Sequence, residues 1–387
     1  MSQITGNVEP FRVHVADDAL ADLRRRAAAT RWPDEPDAAP WTYGTDAAFL
    51  RALVARWADG FDWRREESRL NEWSQFRAEL DGVRLHFVHL RGRGPRPTPI
   101  VLTHGWPSTF VELLPLAERL ADPARFGADP ADSFDVVVPS LPGFGFSDLV
   151  GGATISRLEV ARLWRRLMAD VLGYPAFVAH GGDIGAGITS ILGHAHSDVV
   201  RAIHLTAVRD PHLGPDAPPL SPREQAYQAE ASRWADEEGA YAHVHATRPQ
   251  TLAYALADSP AGLAGWMVEK FRAWSDCGGD VSRRFTMDQL LTTLTIYWAT
   301  GTINSSMRYY AEARRRPWTI GPGDRVTVPT AVAMFPHDLK HPPREWAERF
   351  YDVRRWTEMP RGGHFPAHEE PDLLAVDLRE FVGGVQM

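Results

Sequence analysis

A single cysteine, Cys277, stands in 387 residues. That scarcity excludes an intramolecular disulfide and fits a reducing compartment. Lysine occurs only at 270 and 340, so arginine carries almost all the positive charge, a bias that coding preference explains without a cationic binding face. With a formal net charge of -8 the chain has no basic surplus for nucleic acid or an anionic membrane. No run approaches the ~18 apolar residues of a membrane span. The opening Met1-Ser2-Gln3-Ile4-Thr5-Gly6 has neither the basic start nor the apolar stretch of a secretory signal. A cytoplasmic protein without a membrane anchor is the expectation. Repeats and low-complexity segments are absent from the sequence as well.

What is present is apolar bulk: 44% hydrophobic residues, with 14 Trp and 17 Phe, enough for a large α/β domain with additions, or two domains. The first eighty residues read as helices. Asp17 precedes Ala19, Leu20, Leu23 and Ala27 at helical spacing, and Thr45 precedes Phe49, Leu50, Leu53, Val54 and Trp57. Two alternating runs, 76–80 and 83–90, then flank Asp81-Gly82, a strong hairpin signal. From Ile100 the pattern becomes strand, turn, helix, which indicates a mostly parallel sheet covered on both faces. The alternation breaks between 213 and 322, where Ser221-Pro222-Arg223-Glu224 and Thr286-Met287-Asp288-Gln289 are capping boxes. A helical insertion starting at the end of a core strand is most simply a cap over a site. The expected division is therefore 1–90 (N-terminal helical extension and first hairpin), 91–212 (core, first part), 213–322 (helical cap) and 323–387 (core, second part).

The most informative stretch is Gly181-Gly182-Asp183-Ile184-Gly185, after the apolar run 176–179 and before the apolar run 188–192. A strand, a tight small-residue turn and a helix make a nucleophile elbow, in which glycines are expected to let the backbone turn sharply. Serine is the commoner occupant; here the central residue is aspartate. A serine attacking an epoxide or alkyl halide would end as an ether that water does not readily cleave. A carboxylate ends as an ester with a hydrolysable carbonyl. The elbow thus points to a hydrolase that opens a carbon–oxygen or carbon–halogen bond at saturated carbon.

Such an ester needs a base late in the chain, and His364 in Arg361-Gly362-Gly363-His364-Phe365 fits. A buried histidine needs an acid to fix its tautomer, and Asp338 in Phe335-Pro336-His337-Asp338 follows the preceding strand. Nucleophile, acid, histidine at 183, 338 and 364 is the chain order of the α/β-hydrolase fold. The oxyanion donors expected with it are the backbone N–H groups of Ile184 and Trp106, since Pro107 has none. His243 and His245, read as strand or loop residues, lack an accompanying ligand set. His337 and His341 lack a third ligand, and His368-Glu369-Glu370 lacks the HExxH order, so neither metal nor organic cofactor is expected.

These pieces resemble the microsomal-type epoxide hydrolases over most of the chain: His104-Gly105-Trp106-Pro107, the elbow, the cap segments 238–249 and 297–302, and the acid and histidine loops. The helical segment from Pro10 resembles the N-terminal extension of that family. The resemblance implies an α/β-hydrolase fold, an epoxide substrate, a vicinal diol product and two tyrosines hanging from the cap. Tyr310 in Ser306-Met307-Arg308-Tyr309-Tyr310 and Tyr241 in Gly239-Ala240-Tyr241-Ala242-His243 match those positions. Two phenol donors suit the alkoxide that develops when an epoxide opens; Tyr309 is read as packing. Ile184 stands where some relatives carry tryptophan, which keeps the backbone donor and changes the pocket's shape. A haloalkane dehalogenase-like hydrolase, or a non-catalytic ligand-binding protein of the same fold, are the alternatives. The particular epoxide, a detoxifying or biosynthetic role, and the oligomeric state, a homo-oligomer included, are left open.

Overall fold

Short apolar runs separated by turns give ten strands in one sheet among the described residues. They are β1 (Val8–Pro10), β2 (Gln75–Leu80), β3 (Val83–Leu90), β4 (Thr98–Thr103), β5 (Phe134–Pro139), β6 (Asp148–Leu149), β7 (Phe177–Gly181), β8 (Val200–Leu205), β9 (Val326–Met334) and β10 (Tyr351–Glu358). The computed structural model describes residues 8–35, 37–149, 152–214 and 217–385; residues 1–6, read above for a signal, lie outside them. The order is β1-β2-β3-β5-β4-β7-β8-β9-β10, with β6 beside β3. From β5 to β10 along that order every neighbour is parallel, while β1, β2 and β3 pair antiparallel. Every residue of β5 and β7 is buried, as continuous apolar strands covered on both faces require.

The winding explains where a site can form. The chain leaves β4 for β5 on one side, then crosses β4 to reach β7 and β8 on the other. Right-handed crossovers therefore put the Leu114–Ala121 helix on one face, where it packs against Pro371–Gly383, and the paired helices Arg157–Arg165 and Asp183–Ala195 on the opposite face. The carboxyl ends of β4 and β7 flank the point where the winding reverses, the place where open α/β sheets hold ligands.

One boundary differs from the sequence reading. The 76–90 hairpin, assigned with the N-terminal extension, is hydrogen-bonded into the sheet through β3 and β5, with Phe87 opposite Pro139 and Leu90 opposite Val136. Its β3 edge would otherwise leave backbone groups of a buried strand unpaired. What lies outside the sheet in the extension is helical: Asp17–Ala28, Ala47–Ala58 and Trp63–Leu70.

Among the described residues, six α-helices run between β8 and β9: Pro222–Glu238, Ala240–Thr247, Pro249–Asp258, Pro260–Trp274, Met287–Thr300 and Ile303–Arg315. Both capping boxes form: Ser221 and Thr286 accept from the backbone N–H groups of Glu224 and Gln289, whose side chains reach back. The apolar stripes of the extension cover this helical layer. Leu53, Val54 and Trp57 are buried where Ala47–Ala58 meets Pro260–Trp274 and Met287–Thr300, and Trp57 Nε1 donates to Thr295 Oγ1 at 2.9 Å. Burying each such side chain stabilises by ~1.5–3 kcal/mol, whereas the solvent-screened Arg56–Asp288 pair beside them adds little. The extension thus holds the helical layer chiefly by apolar contact. No described helix is long and apolar enough to cross a membrane.

Candidate active site

The elbow forms as a strand, a turn and a helix: β7 ends at Gly181 and the Asp183–Ala195 helix begins two residues later. The left-handed residue is Asp183 itself, at φ 49°, and not one of the flanking glycines. Aspartate tolerates that region better than most residues. The glycines serve close approach instead. A Cβ on Gly185 would lie 2.1 Å from the Thr103 carbonyl oxygen, so the helix could not seat against β4. A Cβ on Gly105 would lie 2.2 Å from Asp183 Oδ1, where the carboxylate now rests.

That carboxylate is held by backbone donors. Trp106 N–H donates to Asp183 Oδ1 at 2.9 Å, and the Ile184 N–H also favours its charge. The Trp106–Pro107 peptide is cis. Behind this loop, His104 Nδ1–H donates to the Gly105 carbonyl at 3.0 Å and its Nε2 accepts from Leu141 N–H at 3.1 Å. Burial lowers the His104 pKa to about 4, so the ring is a neutral brace between two loops.

His364 and Asp338 meet Asp183 as their chain order predicts. His364 Nδ1–H donates to Asp338 Oδ1 at 2.6 Å, and His364 Nε2 lies 3.6 Å from Asp183 Oδ2. The Asp338 side chain is only 5% accessible, which sets it apart from an ordinary solvated loop carboxylate. Burial works against charge on His364, but Asp338 and Asp183 outweigh it and raise the pKa to about 10. For Asp183 burial likewise opposes charge, and His364 with the two N–H donors lowers the pKa nonetheless. The resting pair is therefore carboxylate and imidazolium. A cavity of about 40 Å³ lies beside it, bounded by Asp183, His364, Gly182, His180 and Glu112 on one hand and Leu113 and Phe365 on the other.

Above the carboxylate stand the cap aromatics. The Tyr241 ring stacks on Trp106 with centroids 5.3 Å apart, and Tyr310 meets the same indole edge-on at 6.4 Å. The two tyrosine rings are 5.8 Å apart. Burial raises both pKa values, with Asp183 adding to each, and Tyr310 Oη is buried without a hydrogen-bond partner. These phenols are protonated donors. Tyr309 turns the other way and packs edge-on against Phe144 at 5.3 Å, as a packing residue should.

The histidines read as strand or loop lie on the Ala240–Thr247 helix. Alternation in the sequence reflects neighbours on a turn of helix, with His245 turned inward and His243 outward. His245 is buried against Trp106 and Tyr310, accepts from Trp266 Nε1–H at 3.0 Å, and burial lowers its pKa to about 3. Three further groups hold the histidine loop, of which Trp274 reads in the sequence only as a cap aromatic and the other two carry no signal of this role. Trp274 packs edge-on against the His364 ring at 5.2 Å, and its carbonyl accepts the His364 N–H at 2.8 Å. Asp276 accepts from Gly362 N–H at 3.0 Å, tying the end of a cap helix to the histidine loop. Glu369 accepts from the backbone N–H groups of Phe365 and Asp276 at 3.0 and 2.7 Å.

Comparison with known proteins agrees with this geometry. The family model for the epoxide hydrolase N terminus matches residues 8–113, and that for the alpha/beta hydrolase family matches residues 100–378. Epoxide hydrolase 1 of Oryctolagus cuniculus is 32% identical over 98% of this chain and 90% of its own. Among solved structures, the Aspergillus niger epoxide hydrolase is 31% identical with a TM-score of 0.84, covering 99% of this chain and 97% of that one. The juvenile hormone epoxide hydrolase of the silkworm Bombyx mori is 27% identical with a TM-score of 0.86, covering 98% and 94%. With an N-terminal and a hydrolase model overlapping to span residues 8–378 and a relative alike along nearly its whole length, the chain belongs to the microsomal-type epoxide hydrolases of the α/β-hydrolase superfamily.

Proposed function

We propose that this protein converts an epoxide and water to a vicinal diol through a hydroxyalkyl ester on Asp183. What supports the covalent route most is the surroundings of one carboxylate: Oδ1 occupied by the Trp106 N–H, Oδ2 left free 3.6 Å from an imidazole that a second carboxylate orients. Oδ2 attacks the less hindered epoxide carbon. As the carbon–oxygen bond breaks, Tyr241 and Tyr310 hydrogen-bond the developing alkoxide and supply its proton.

Alkylation cancels the charge on Asp183, and with it one of the two influences that raise the His364 pKa. The imidazolium then gives up its proton more readily, through solvent to replace the one a cap phenol gave the alkoxide, so forming the ester itself prepares the base. Neutral His364 takes a proton from water, which attacks Cγ of the ester. The cavity of about 40 Å³ beside His364 is of a size that suits one water molecule, with Asp183 and His364 on its wall. Oδ1, already on the Trp106 N–H, becomes the tetrahedral oxyanion, and collapse releases the diol with the former Oδ2, the departing alkoxide taking the proton of the added hydroxyl and leaving Asp183 a carboxylate.

The test is a single turnover in ¹⁸O water with enzyme in excess. Label is expected in the Asp183 carboxylate and not in the diol; label appearing in the diol at the first turnover would mean direct attack of water on the epoxide. The tyrosine roles have a separate test. Tyr310→Phe and Tyr241→Phe are each expected to slow ester formation by about 10²–10³, the range for loss of one preorganised donor to an oxyanion. In the double variant little alkylation should remain. Rapid-quench measurement of the ester checks this, and unchanged alkylation in both single variants would remove the tyrosines from the mechanism.

A further inference from the structure

A second cavity, of about 300 Å³, also borders Asp183. It runs along the nucleophile helix past Gly187 and is lined by Arg157, Arg209 and Arg316. Two of these three cations lack an ion pair among the described residues. Arg316 is satisfied by Glu159 and Glu312 at 3.0 and 2.8 Å. Arg157 has no ion pair among the described residues, and its Nε is buried without a hydrogen-bond partner. Arg209 is likewise without a carboxylate partner among the described residues. It donates to the Trp318 carbonyl at 2.8 Å and lies 4.4 Å over that ring. Burial, with the like charge of Arg157, lowers the Arg209 pKa although Tyr351 and Asp210 oppose this, so the two guanidiniums feel one another. Asp210, the acid next to Arg209, accepts from Trp346 Nε1–H at 3.2 Å.

Local structure does not account for Arg157. It is the first residue of the Arg157–Arg165 helix, where the helix dipole disfavours a cation and where Glu159 already completes the capping box. Its guanidinium instead lies flat on the nucleophile helix, with Nη1 3.2 Å and Cζ 3.7 Å from where a Cβ on Gly187 would be. A side chain at 187 would press on it and oblige it to shift. Gly187 is one turn beyond Asp183, roughly 6 Å along the helix axis. Leu158, 49% exposed, and Trp318 give the cleft apolar walls.

We propose that this cleft is a subsite for an anionic group on the substrate, so that the preferred epoxides carry a carboxylate on an apolar body, held by Arg157 and Arg209 while Asp183 reaches the epoxide carbon. The proposal rests on the hydrolase reading above and adds the substrate class to it. Arg157 lies over Gly187, one helical turn beyond Asp183, so the anionic group sits at the other end of the apolar body from the epoxide.

The experiment compares 4-carboxystyrene oxide with its neutral counterpart 4-methylstyrene oxide, and the readout is the ratio of their kcat/KM values. For the unmodified protein the ratio is expected to favour the carboxylate by about 10-fold or more, as charge-assisted hydrogen bonds allow, and to shrink from 20 to 500 mM NaCl as screening increases. Arg157→Gln and Arg209→Gln should each bring the ratio toward one through KM for the anionic substrate, while Arg157→Lys should retain part of it. A ratio at or below one in the unmodified protein, or a ratio that the Gln variants leave intact, overturns the subsite and leaves the hydrolase reading standing. Absence of ester formation with both epoxides overturns that reading and the subsite together.

Discussion

Asp183→Ala should bring turnover of any epoxide down by about four orders of magnitude or more, as loss of a nucleophile does in enzymes whose catalytic groups act as a unit. The expected loss is in the chemical step, with no covalent adduct detectable by intact mass in single-turnover samples. A protein that merely binds epoxides for water to attack would keep much of its rate, because the tyrosines and His364 would remain. The variant has a second readout that does not depend on substrate. Asp183 is one of two carboxylates that raise the His364 pKa to about 10, so removing it should lower that pKa while Asp338 still holds Nδ1. NMR titration of the imidazole measures the change. An unaltered His364 titration would show that the two side chains do not interact as the 3.6 Å separation implies. The fold should survive, although alanine bears the left-handed φ of 49° less well than aspartate, at ~1–2 kcal/mol.

How much of this was legible in the sequence depended on whether the signal was local. The elbow was, because a strand, a helix and the small residues that permit their close approach all fall within a few positions of Asp183. Even there the sequence misassigned the work: glycines were expected to supply the turn, whereas Asp183 takes the left-handed conformation and Gly185 makes room for the Thr103 carbonyl. His364 and Asp338 were legible through chain order, since a parallel sheet brings the ends of successive strands to one edge. The capping boxes at Ser221 and Thr286 were legible because each is a contact within one turn.

Contacts between distant segments were not legible. Nothing at Asp276 or Glu369 announces that one holds the Gly362 N–H and the other the Phe365 N–H, since each needs the cap and core to be assembled first. The hairpin at Asp81-Gly82 was found, yet its membership of the sheet depends on β5, more than forty residues later. His243 and His245 show the opposite error. Two-residue alternation suggested an extended segment, but the surrounding Ala240–Thr247 run is helical, and His245 is held inside by Trp106, Trp266 and Tyr310. Arg157 carried no signal because its meaning lies in the lack of a partner.

His364→Gln is expected to divide the reaction at its midpoint. Alkylation needs only ionised Asp183 and the cap phenols, so the variant should react once and stop, gaining the mass of one epoxide on Asp183. Loss of a general base slows the second step by about 10²–10⁴, enough for the ester to survive digestion and be located. Rapid steady turnover, or an adduct on another residue, would sink the assignment. The unmodified protein should show the same division as a function of pH. Ester hydrolysis requires neutral imidazole, whose pKa after alkylation lies below about 10 because the charge of Asp183 is gone. The fraction of enzyme held as ester in rapid-quench samples should therefore be larger at pH 6 than at pH 9. Stability should fall over the same rise in pH. A histidine whose folded pKa is raised from 6.5 to about 10 contributes stability in full below 6.5, and that contribution is lost as pH rises through 10. Thermal unfolding between these limits should show the decline in the unmodified protein and a shallower one in His364→Gln. Parallel slopes for the two proteins would mean that the imidazolium is not held by Asp183 and Asp338 in the resting state, and the order of protonation events proposed for the cycle would have to be abandoned.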